Sequence, residues 1–235
     1  MTSSPGSGPA TEPTEPSREP VRAAFFDMDN TVLRVETGMS WVRFLFRRGE
    51  LPPKVVAKAI YWHVLYKLAV LDMDAVFAKL ALGVRGDSEA EMIAKCDIWY
   101  RDHVAREVAP AARRAIEHHR RAGHHIVLAT GSTQYAARPV ARGIGIDHVL
   151  SSELEVERGV FTGRAAAYCF GKHKVALAEQ WAKQHGVDLA ASYFYSDSYN
   201  DLPLLQRVGT AIAVNPDARL RRHARRHGWA AERWS

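Results

Sequence analysis

Acidic and hydroxyl side chains follow three short apolar runs of this 235-residue chain. VRAAFF precedes Asp27-Met28-Asp29-Asn30-Thr31, IVLA precedes Thr130-Gly131-Ser132, and YFY precedes Ser196-Asp197-Ser198-Tyr199-Asn200-Asp201. In an open α/β sheet, residues just beyond the carboxyl ends of the strands meet at one crevice. We therefore expect four carboxylates and a hydroxyl at a single site, although helix capping could explain any one of these residues taken alone.

Four carboxylates at one crevice would repel one another unless a cation lies between them. Oxygen ligands from two or three side chains, with room for water and phosphate, suit Mg²⁺ better than Zn²⁺. A lysine is the second expected partner, and Gly171-Lys172-His173-Lys174 opens a predicted helix that continues to about His185. An ammonium group at this helix start, from either lysine, would reach the crevice and bind a phosphate or the nucleophile.

The elements that must position these residues follow from the apolar pattern. Residues 21–26, 126–129, 193–195 and 211–214 read as buried strands, and each leads into a turn and then a helix, as in a parallel sheet of βαβ units. A hairpin is predicted over residues 154–163, turning at Arg158-Gly159. The pattern predicts an α/β fold with a Rossmann-like, doubly wound parallel sheet.

Nearly a hundred residues separate the first two strands and contain no convincing strand. Helical spacing covers residues 40–48, 54–71, 75–82 and 89–106. We interpret this stretch as an all-helical insertion, after which the helix at residues 111–122 returns to the sheet domain.

The four motifs, in this order, resemble those of the haloacid dehalogenase-like hydrolase superfamily, in its phosphoserine-phosphatase-like branch. FFDMDNT matches the first motif, LATGS the second, GKHK the third and SDSYND the fourth, and the resemblance spans roughly residues 21–230. It implies a Rossmann-like core over residues 21–33 and 109–235, with residues 34–108 forming a helical cap.

The resemblance also implies a role for each acid. Asp27 would attack phosphorus and form an aspartyl-phosphate, and at an ordinary pKa of about 4 it would be ionised at neutral pH. Asp29 would protonate the leaving alcohol and later deprotonate the hydrolytic water. Mg²⁺ would be bound by the Asp27 carboxylate, the Asp29 backbone carbonyl and Asp197, and Asp201 would orient the metal shell or the lysine.

The family's remaining roles fall on the second and third motifs. Thr130 would bind the phosphoryl group together with nearby backbone amides, with Gly131 and Ser132 also contributing to phosphate binding. Ser132 is more readily expected to cap the next helix, since Thr130 ends the strand. The family pattern G-x-x-K favours Lys174 over Lys172 as the site lysine.

A cap over the site favours small phosphorylated metabolites over folded macromolecules. The resemblance therefore implies a Mg²⁺-dependent phosphomonoesterase, with phosphoserine and histidinol phosphate as candidate substrates and a phosphomutase as the alternative. Glu36 lies where the phosphoserine enzymes carry a glutamate that faces the substrate's amino group. Lys79 lies where they use an arginine for the carboxylate. Ordinary roles for both, as a first-turn acid and a surface lysine, are the competing interpretation.

The net charge of +6 is concentrated at the end of the chain, where residues 217–235 contain six arginines and two acids. We interpret this as a solvated helix, because no aromatic side chains interleave residues 219–226 as a nucleic-acid site would need. An anion- or membrane-binding module is the alternative. We expect no nucleic-acid partner, and the pattern leaves the oligomeric state open.

The other composition signals concern the start of the chain, membranes and location. Residues 1–20 are rich in proline and lack aromatic residues, which predicts a disordered tail. Lys58, His63 and Lys67 interrupt the most apolar stretch, so we expect an amphipathic helix and no membrane partner. Two widely spaced cysteines exclude a disulfide scaffold and indicate a cytoplasmic location.

Overall fold

A computed structural model describes residues 19–67 and 72–234 of the chain. The predicted disordered tail, apart from residues 19 and 20, lies outside the described residues, and so do residues 68–71 of the helix predicted over 54–71.

A seven-stranded sheet with the order β4-β3-β2-β1-β5-β6-β7 forms the centre of the fold, with β3 and β4 antiparallel and every other pair parallel. Its strands are β1 Ala23–Phe26, β2 His125–Thr133, β3 His148–Glu157, β4 Val160–Ala167, β5 Tyr193–Ser196, β6 Thr210–Val214 and β7 Ala230–Glu232. The predicted α/β class and doubly wound sheet are confirmed. Neither β7 nor the part of β3 that pairs with β2 was predicted, because both carry few consecutive apolar residues.

Helices cover both faces of the sheet, which is why β1 is apolar at every position. The chain forms α1 Thr37–Arg47, α2 Pro53–Lys67, α3 Met73–Gly83, α4 Glu89–Trp99, α5 Pro110–Arg121, α6 Gln134–Ile144, α7 Gly171–Gln184, α8 Leu202–Leu205 and α9 Ala218–His227. Ala24 and Phe26 pack in one buried cluster with α5 and α6, whereas Ala23 and Phe25 pack in another with α7, α8 and α9. Alternating side chains of a strand thus fill two separate cores.

The segment between β1 and β2 is helical, with no strand among its described residues. α4 ends at Trp99, earlier than the predicted 106, and continues as a wide turn over Tyr100–Val104 and a short 3₁₀ turn over Ala105–Glu107. The two ends of the segment meet in an isolated antiparallel bridge between Leu33 and Val108. The Ala109 amide also donates to the Val32 carbonyl over 2.9 Å. The chain therefore leaves the sheet and returns to it at nearly the same point.

The hairpin predicted to turn at Arg158-Gly159 is confirmed by pairing of Glu157 with Val160. Both turn residues have positive φ, 52° and 80°, which is the left-handed geometry that a tight hairpin needs. The loop between α3 and α4 packs along this hairpin, because the Gly86 amide donates to the Phe161 carbonyl and the Phe161 amide donates to the Asp87 carbonyl. The helical segment is thus attached to the sheet at a second point.

The arginine-rich end forms α9, and the interpretation as a solvated helix is confirmed. Leu220 and Ala224 are buried, whereas Arg221, Arg225 and Arg226 are exposed. Among the residues that the structure describes, no helix is both long and apolar enough to cross a bilayer.

Candidate active site

Asp27 follows directly after β1, at the carboxyl edge of the sheet. Its backbone amide donates to the Tyr195 carbonyl on the neighbouring strand β5 over 2.9 Å, which continues the sheet pattern by one residue. The chain then turns through Met28–Val32, where Asn30 has a φ of 52°. Asp27 is 7% exposed, so its carboxylate is almost fully buried where the acid-rich crevice is expected.

A buried lysine neutralises part of the charge in this crevice. The Lys174 ammonium donates to Asp27 Oδ1 over 3.0 Å and lies 2.7 Å from Asp201 Oδ1, and its side chain is 3% exposed. Lys172, two residues earlier in the first turn of α7, is exposed. The structure therefore brings Lys174, and not Lys172, to the carboxylates.

Asp201 is held in place by Ser196, the last residue of β5. The Ser196 hydroxyl donates to Asp201 Oδ2 over 2.7 Å, while Asp201 Oδ1 faces Lys174. Both oxygens of this carboxylate thus have partners. Asp201 holds the lysine between itself and Asp27, which is the geometry of a positioning group.

Asp29 is held by the start of α1 and by β2. Its Oδ1 accepts from the Thr37 amide over 2.8 Å, and its Oδ2 accepts from the Ser132 hydroxyl over 3.4 Å. The Ser132 hydroxyl also lies 2.9 Å from the Thr37 hydroxyl. The expectation that Ser132 caps the next helix is wrong, because Thr133 is the residue before α6 and the Ser132 side chain is turned toward Asp29.

Thr130 is buried in β2, with its hydroxyl accepting from the Ser132 amide over 3.1 Å. Strand β2 continues past Thr130 to Thr133, with a register shift against β3 between these two residues. Gly131 lies against Cys169 and Phe170, at distances where a Cβ would make ordinary contact. Thr130, Gly131 and Ser132 therefore lie together beside Asp29, while their predicted phosphate contacts stay predictions.

The negative charges in the crevice outnumber the single lysine. Burial raises the pKa of Asp27 to about 7, against the opposing effect of Lys174. Burial and the charges of Asp27 and Asp201 raise the pKa of Asp197 well above its ordinary value. Burial also raises the pKa of Asp29, although the Thr37 amide opposes this. The expectation that Asp27 has an ordinary pKa is therefore wrong when no further cation is bound. The positive charge of Lys174 alone does not offset the burial of Asp27 and the negative charges of the neighbouring aspartates.

The donor set of the crevice fits Mg²⁺ by its chemistry. The groups that converge here are carboxylates, and the Asp29 carbonyl is the further predicted ligand. Mg²⁺ prefers oxygen ligands of both kinds, and no imidazole or thiolate is part of the predicted set. Within the described residues, no three His, Cys, Asp or Glu side chains are arranged to enclose a metal ion by themselves. Mg²⁺ needs no such cage, since it commonly takes one or two carboxylates and completes its shell with water and substrate phosphate.

Asn30 links two of the predicted site residues. Its Nδ2 donates to Asp197 Oδ2 over 3.2 Å and to Glu36 Oε1 over 3.1 Å. Its own carbonyl accepts from Asn215 Nδ2 over 2.8 Å. Sequence reasoning missed Asn30, Thr37 and Asn215. Of these three, only Asn30 could have been found from the sequence, because it lies inside the first motif, between the two aspartates and Glu36.

The two predicted specificity residues are placed very differently. Glu36 is half-buried beside Asn30 and thus borders the crevice. Lys79 is exposed on α3, whose buried residues are Phe77 and Ala81. Position 79 lies about 200° around the helix from position 77, on the opposite side. The structure therefore brings Glu36, but not Lys79, to the site.

The chain is similar to known proteins over most of its length. A family model described as haloacid dehalogenase-like hydrolase matches residues 24–206. The phosphoserine phosphatase SerB1 of Mycobacterium tuberculosis is 33% identical over 220 residues, covering 92% of this chain and 71% of that protein. A histidinol-phosphatase of Neisseria meningitidis serogroup C is 30% identical over 216 residues, covering 88% of this chain and 96% of that protein. A solved structure of a protein of unknown function from Bordetella pertussis Tohama I is 32% identical, with a TM-score of 0.80, covering 91% of this chain and 98% of that one.

Proposed function

Because this chain belongs to the haloacid dehalogenase-like hydrolase family, we propose that it is a Mg²⁺-dependent phosphatase that cleaves a small phosphate monoester through an aspartyl-phosphate on Asp27. The chain is a phosphoric monoester hydrolase of this family. The observation that carries the proposed mechanism is the buried set of Asp27, Lys174 and Asp201 at the end of the central strand.

The chain's own residues supply the two half-reactions. An Asp27 oxygen attacks phosphorus, so that a phosphorus–oxygen bond to the enzyme forms while the bond to the leaving alcohol breaks. Asp29 gives its proton to that alcohol and then takes one from the water that attacks the aspartyl-phosphate, which releases phosphate and frees Asp27. The Thr37 amide and the Ser132 hydroxyl hold the Asp29 carboxyl in place for this exchange.

Positive charge in the crevice stabilises the negative charge of the phosphoryl group during its transfer. Lys174 neutralises Asp27 in the resting enzyme and a phosphoryl oxygen during transfer, while Asp201 keeps its ammonium in position. Asp27, Asp197 and the Asp29 carbonyl would hold Mg²⁺, which supplies further neutralisation of the phosphoryl charge when bound. Thr130, Gly131 and Ser132 would bind the remaining phosphoryl oxygens.

The helical segment, residues 34–108, acts as a cap in this proposal, and residues 21–33 and 109–235 act as the catalytic core. α3 contacts the stretch just before Lys174, where the Phe77 ring lies 5.6 Å from that of Tyr168 and 6.4 Å from that of Phe170. Asp74, also on α3, has its Oδ2 atom 3.3 Å from Nε2 of His173 on α7. These contacts place α3 beside the lysine that faces Asp27, so a substrate must be small enough to enter beneath the cap.

Glu36 supports an amine-bearing substrate. A half-buried carboxylate at the edge of a phosphate site would bind the ammonium group of phosphoserine or of histidinol phosphate. Relatives named for each of these activities are about equally similar to this chain, so both substrates belong to the proposal. A cytoplasmic location, predicted from the cysteine usage, is also part of it, and both cysteines are free and buried.

Phosphate release from p-nitrophenyl phosphate, phosphoserine and histidinol phosphate, with Mg²⁺ and with a chelator, tests the proposal. We expect Mg²⁺-dependent release by the wild type and a loss of at least about a thousandfold in Asp27→Asn, because the nucleophile itself is removed. Asp102→Asn, which changes an exposed acid in the same way, should keep wild-type rates. Equal rates for wild type and Asp27→Asn would overturn the proposed mechanism.

A further inference from the structure

Large apolar side chains that remain exposed are concentrated on the helices between β1 and β2. Seven of the nine in the described residues lie there, and only two lie elsewhere. Those on the helical segment are Phe46, Val55, Ile60, Tyr61, Leu80, Leu82 and Ile93. Scattered exposed apolar residues are normal, but a concentration on one part of the molecule indicates an interaction surface.

The helical hairpin formed by α1 and α2 carries the most prominent part of this surface. Ile60 is 48% exposed, Tyr61 61%, Val55 38% and Phe46, at the end of α1, 46%. α1 is the main packing partner of α2 among the described elements. A helix that is apolar over most of its surface is normally buried. Within the described residues, these apolar side chains of the α1–α2 hairpin are therefore left uncovered.

The same hairpin is strongly cationic. Residues 51–67 contain three lysines and no Asp or Glu. On α1 and just after it, Arg43, Arg47 and Arg48 are exposed. The acid in the connecting loop, Glu50, pairs with Arg48 and with Lys95 on α4. At 100° per residue, Lys54, Val55, Lys58 and Tyr61 fall within about 120° of one another around α2, so basic and apolar side chains share one side of this helix.

This combination selects among possible partners by charge and polarity. A second copy docked through the same patch would bring two cationic patches together, since a two-fold interface uses the same patch on both subunits, and like charges repel. A nucleic acid would satisfy the lysines and arginines but leave Val55 and Ile60 in water. An anionic lipid surface accepts both, because its headgroups attract cations and its acyl boundary accepts apolar side chains.

We propose that the α1–α2 hairpin docks this protein onto the surface of an anionic lipid bilayer. Tyr61 and Trp62 are residue types that favour the boundary between headgroups and acyl chains. The Lys58 ammonium lies 4.7 Å from the centre of the Trp62 ring, so this pair presents an aromatic body and a cation side by side. Such docking requires no membrane span, and it departs from the sequence-based expectation of no membrane partner. It is independent of the catalytic residues.

Co-sedimentation of the full chain with vesicles tests the proposal, using phosphatidylcholine alone and an equal mixture of phosphatidylcholine and phosphatidylglycerol. We expect the wild type to bind the mixed vesicles, with binding that weakens at high salt, and to bind the neutral vesicles far less. Ile60→Ser combined with Tyr61→Ser, and Lys54→Glu combined with Lys58→Glu, should each lower partitioning by at least about tenfold. All four positions are exposed, so the midpoint of thermal unfolding should be unchanged and serves as the folding control.

Arg225→Glu combined with Arg226→Glu is the matched control, because it reverses two exposed charges on α9 instead. This variant should bind the mixed vesicles like the wild type. The proposal is overturned if the wild type does not bind them, if both α2 variants bind normally, or if only the α9 variant loses binding. It is also overturned if the wild type is a dimer that Ile60→Ser with Tyr61→Ser converts to a monomer, which would assign the patch to a second copy.

Discussion

Replacing Lys174 by methionine should destabilise the protein in a manner that depends on pH. The substitution keeps the length of the side chain but removes the ammonium that lies 3.0 Å from Asp27 and 2.7 Å from Asp201. At an effective dielectric constant of about 20, each of these attractions amounts to about 5–6 kcal/mol before desolvation is subtracted. Breaking a buried pair costs about 3–5 kcal/mol in total, because it leaves a buried charge unpaired. We expect a loss in this range when the carboxylates are ionised.

The sign of the pH dependence follows from the same charges. Burial alone would lower the pKa of Lys174, but Asp201 and Asp27 raise it well above its ordinary value, so the lysine is charged throughout. Without it, the pKa of Asp27 rises above its present value of about 7. A carboxyl whose pKa is raised by folding destabilises the protein fully above that pKa, and the destabilisation fades as the pH falls from there toward the unfolded-state value of about 4. The stability loss should therefore be largest near about pH 8 and smaller near about pH 5.5.

Urea unfolding of the metal-free protein in a chelator, at both pH values, measures this difference. Lys172→Met removes an exposed lysine two residues away on the same helix and should change the free energy of unfolding little at either pH. Lys174→Met should also lower phosphate release by at least about a hundredfold, as expected for a lost charge at the transferring group. A stability loss in Lys174→Met that is the same at both pH values would refute the argument that this ammonium balances the buried carboxylates.

Three further changes test other parts of the structure. Asn30→Gly removes the amide that bridges Asp197 and Glu36 and should weaken Mg²⁺ binding, measured calorimetrically on the metal-free protein, by about tenfold. Burial lowers the pKa of His119 to about 4, so the wild type loses up to about 3 kcal/mol of stability as the pH falls from about 6.5 to about 4. His119→Gln should remove this loss and flatten the acid dependence of urea unfolding. Gly209→Ala should destabilise by about 1–3 kcal/mol in thermal or urea unfolding, since a Cβ there would overlap a backbone carbonyl.

Each of these changes has a matched control. Arg158→Gly also introduces a glycine at a φ of 52° and should leave Mg²⁺ binding unchanged. If Arg158→Gly and Asn30→Gly bind Mg²⁺ with equal affinity, the Asn30 side-chain amide has no role in Mg²⁺ binding. His227→Gln alters an exposed histidine on α9 and should leave the acid dependence unchanged. Gly38→Ala places a Cβ in open space within α1, so a destabilisation as large as that of Gly209→Ala would contradict the overlap argument.

The carboxyl ends of the strands could be found from the sequence because both signals involved are local. A fully apolar run such as AAFF is buried on both faces of a parallel sheet, and the acids that follow it must emerge at the sheet's edge. Strand β7, with the residues AAE, has no such signal, and its pairing with β6 depends on the fold around it. The helical character of the described residues between β1 and β2 was likewise readable from periodicity alone.

The sequence by itself determined the class of fold, the helical insertion, the motif residues and the family that they indicate. These depend on residues that are neighbours along the chain or on the spacing of apolar side chains. Only the tertiary structure decided which lysine meets Asp27, that Ser132 turns toward Asp29, and that Lys79 lies away from the site. It also decided the raised pKa of Asp27. Such properties depend on distances and burial between segments that lie far apart in the chain, and no local pattern encodes them.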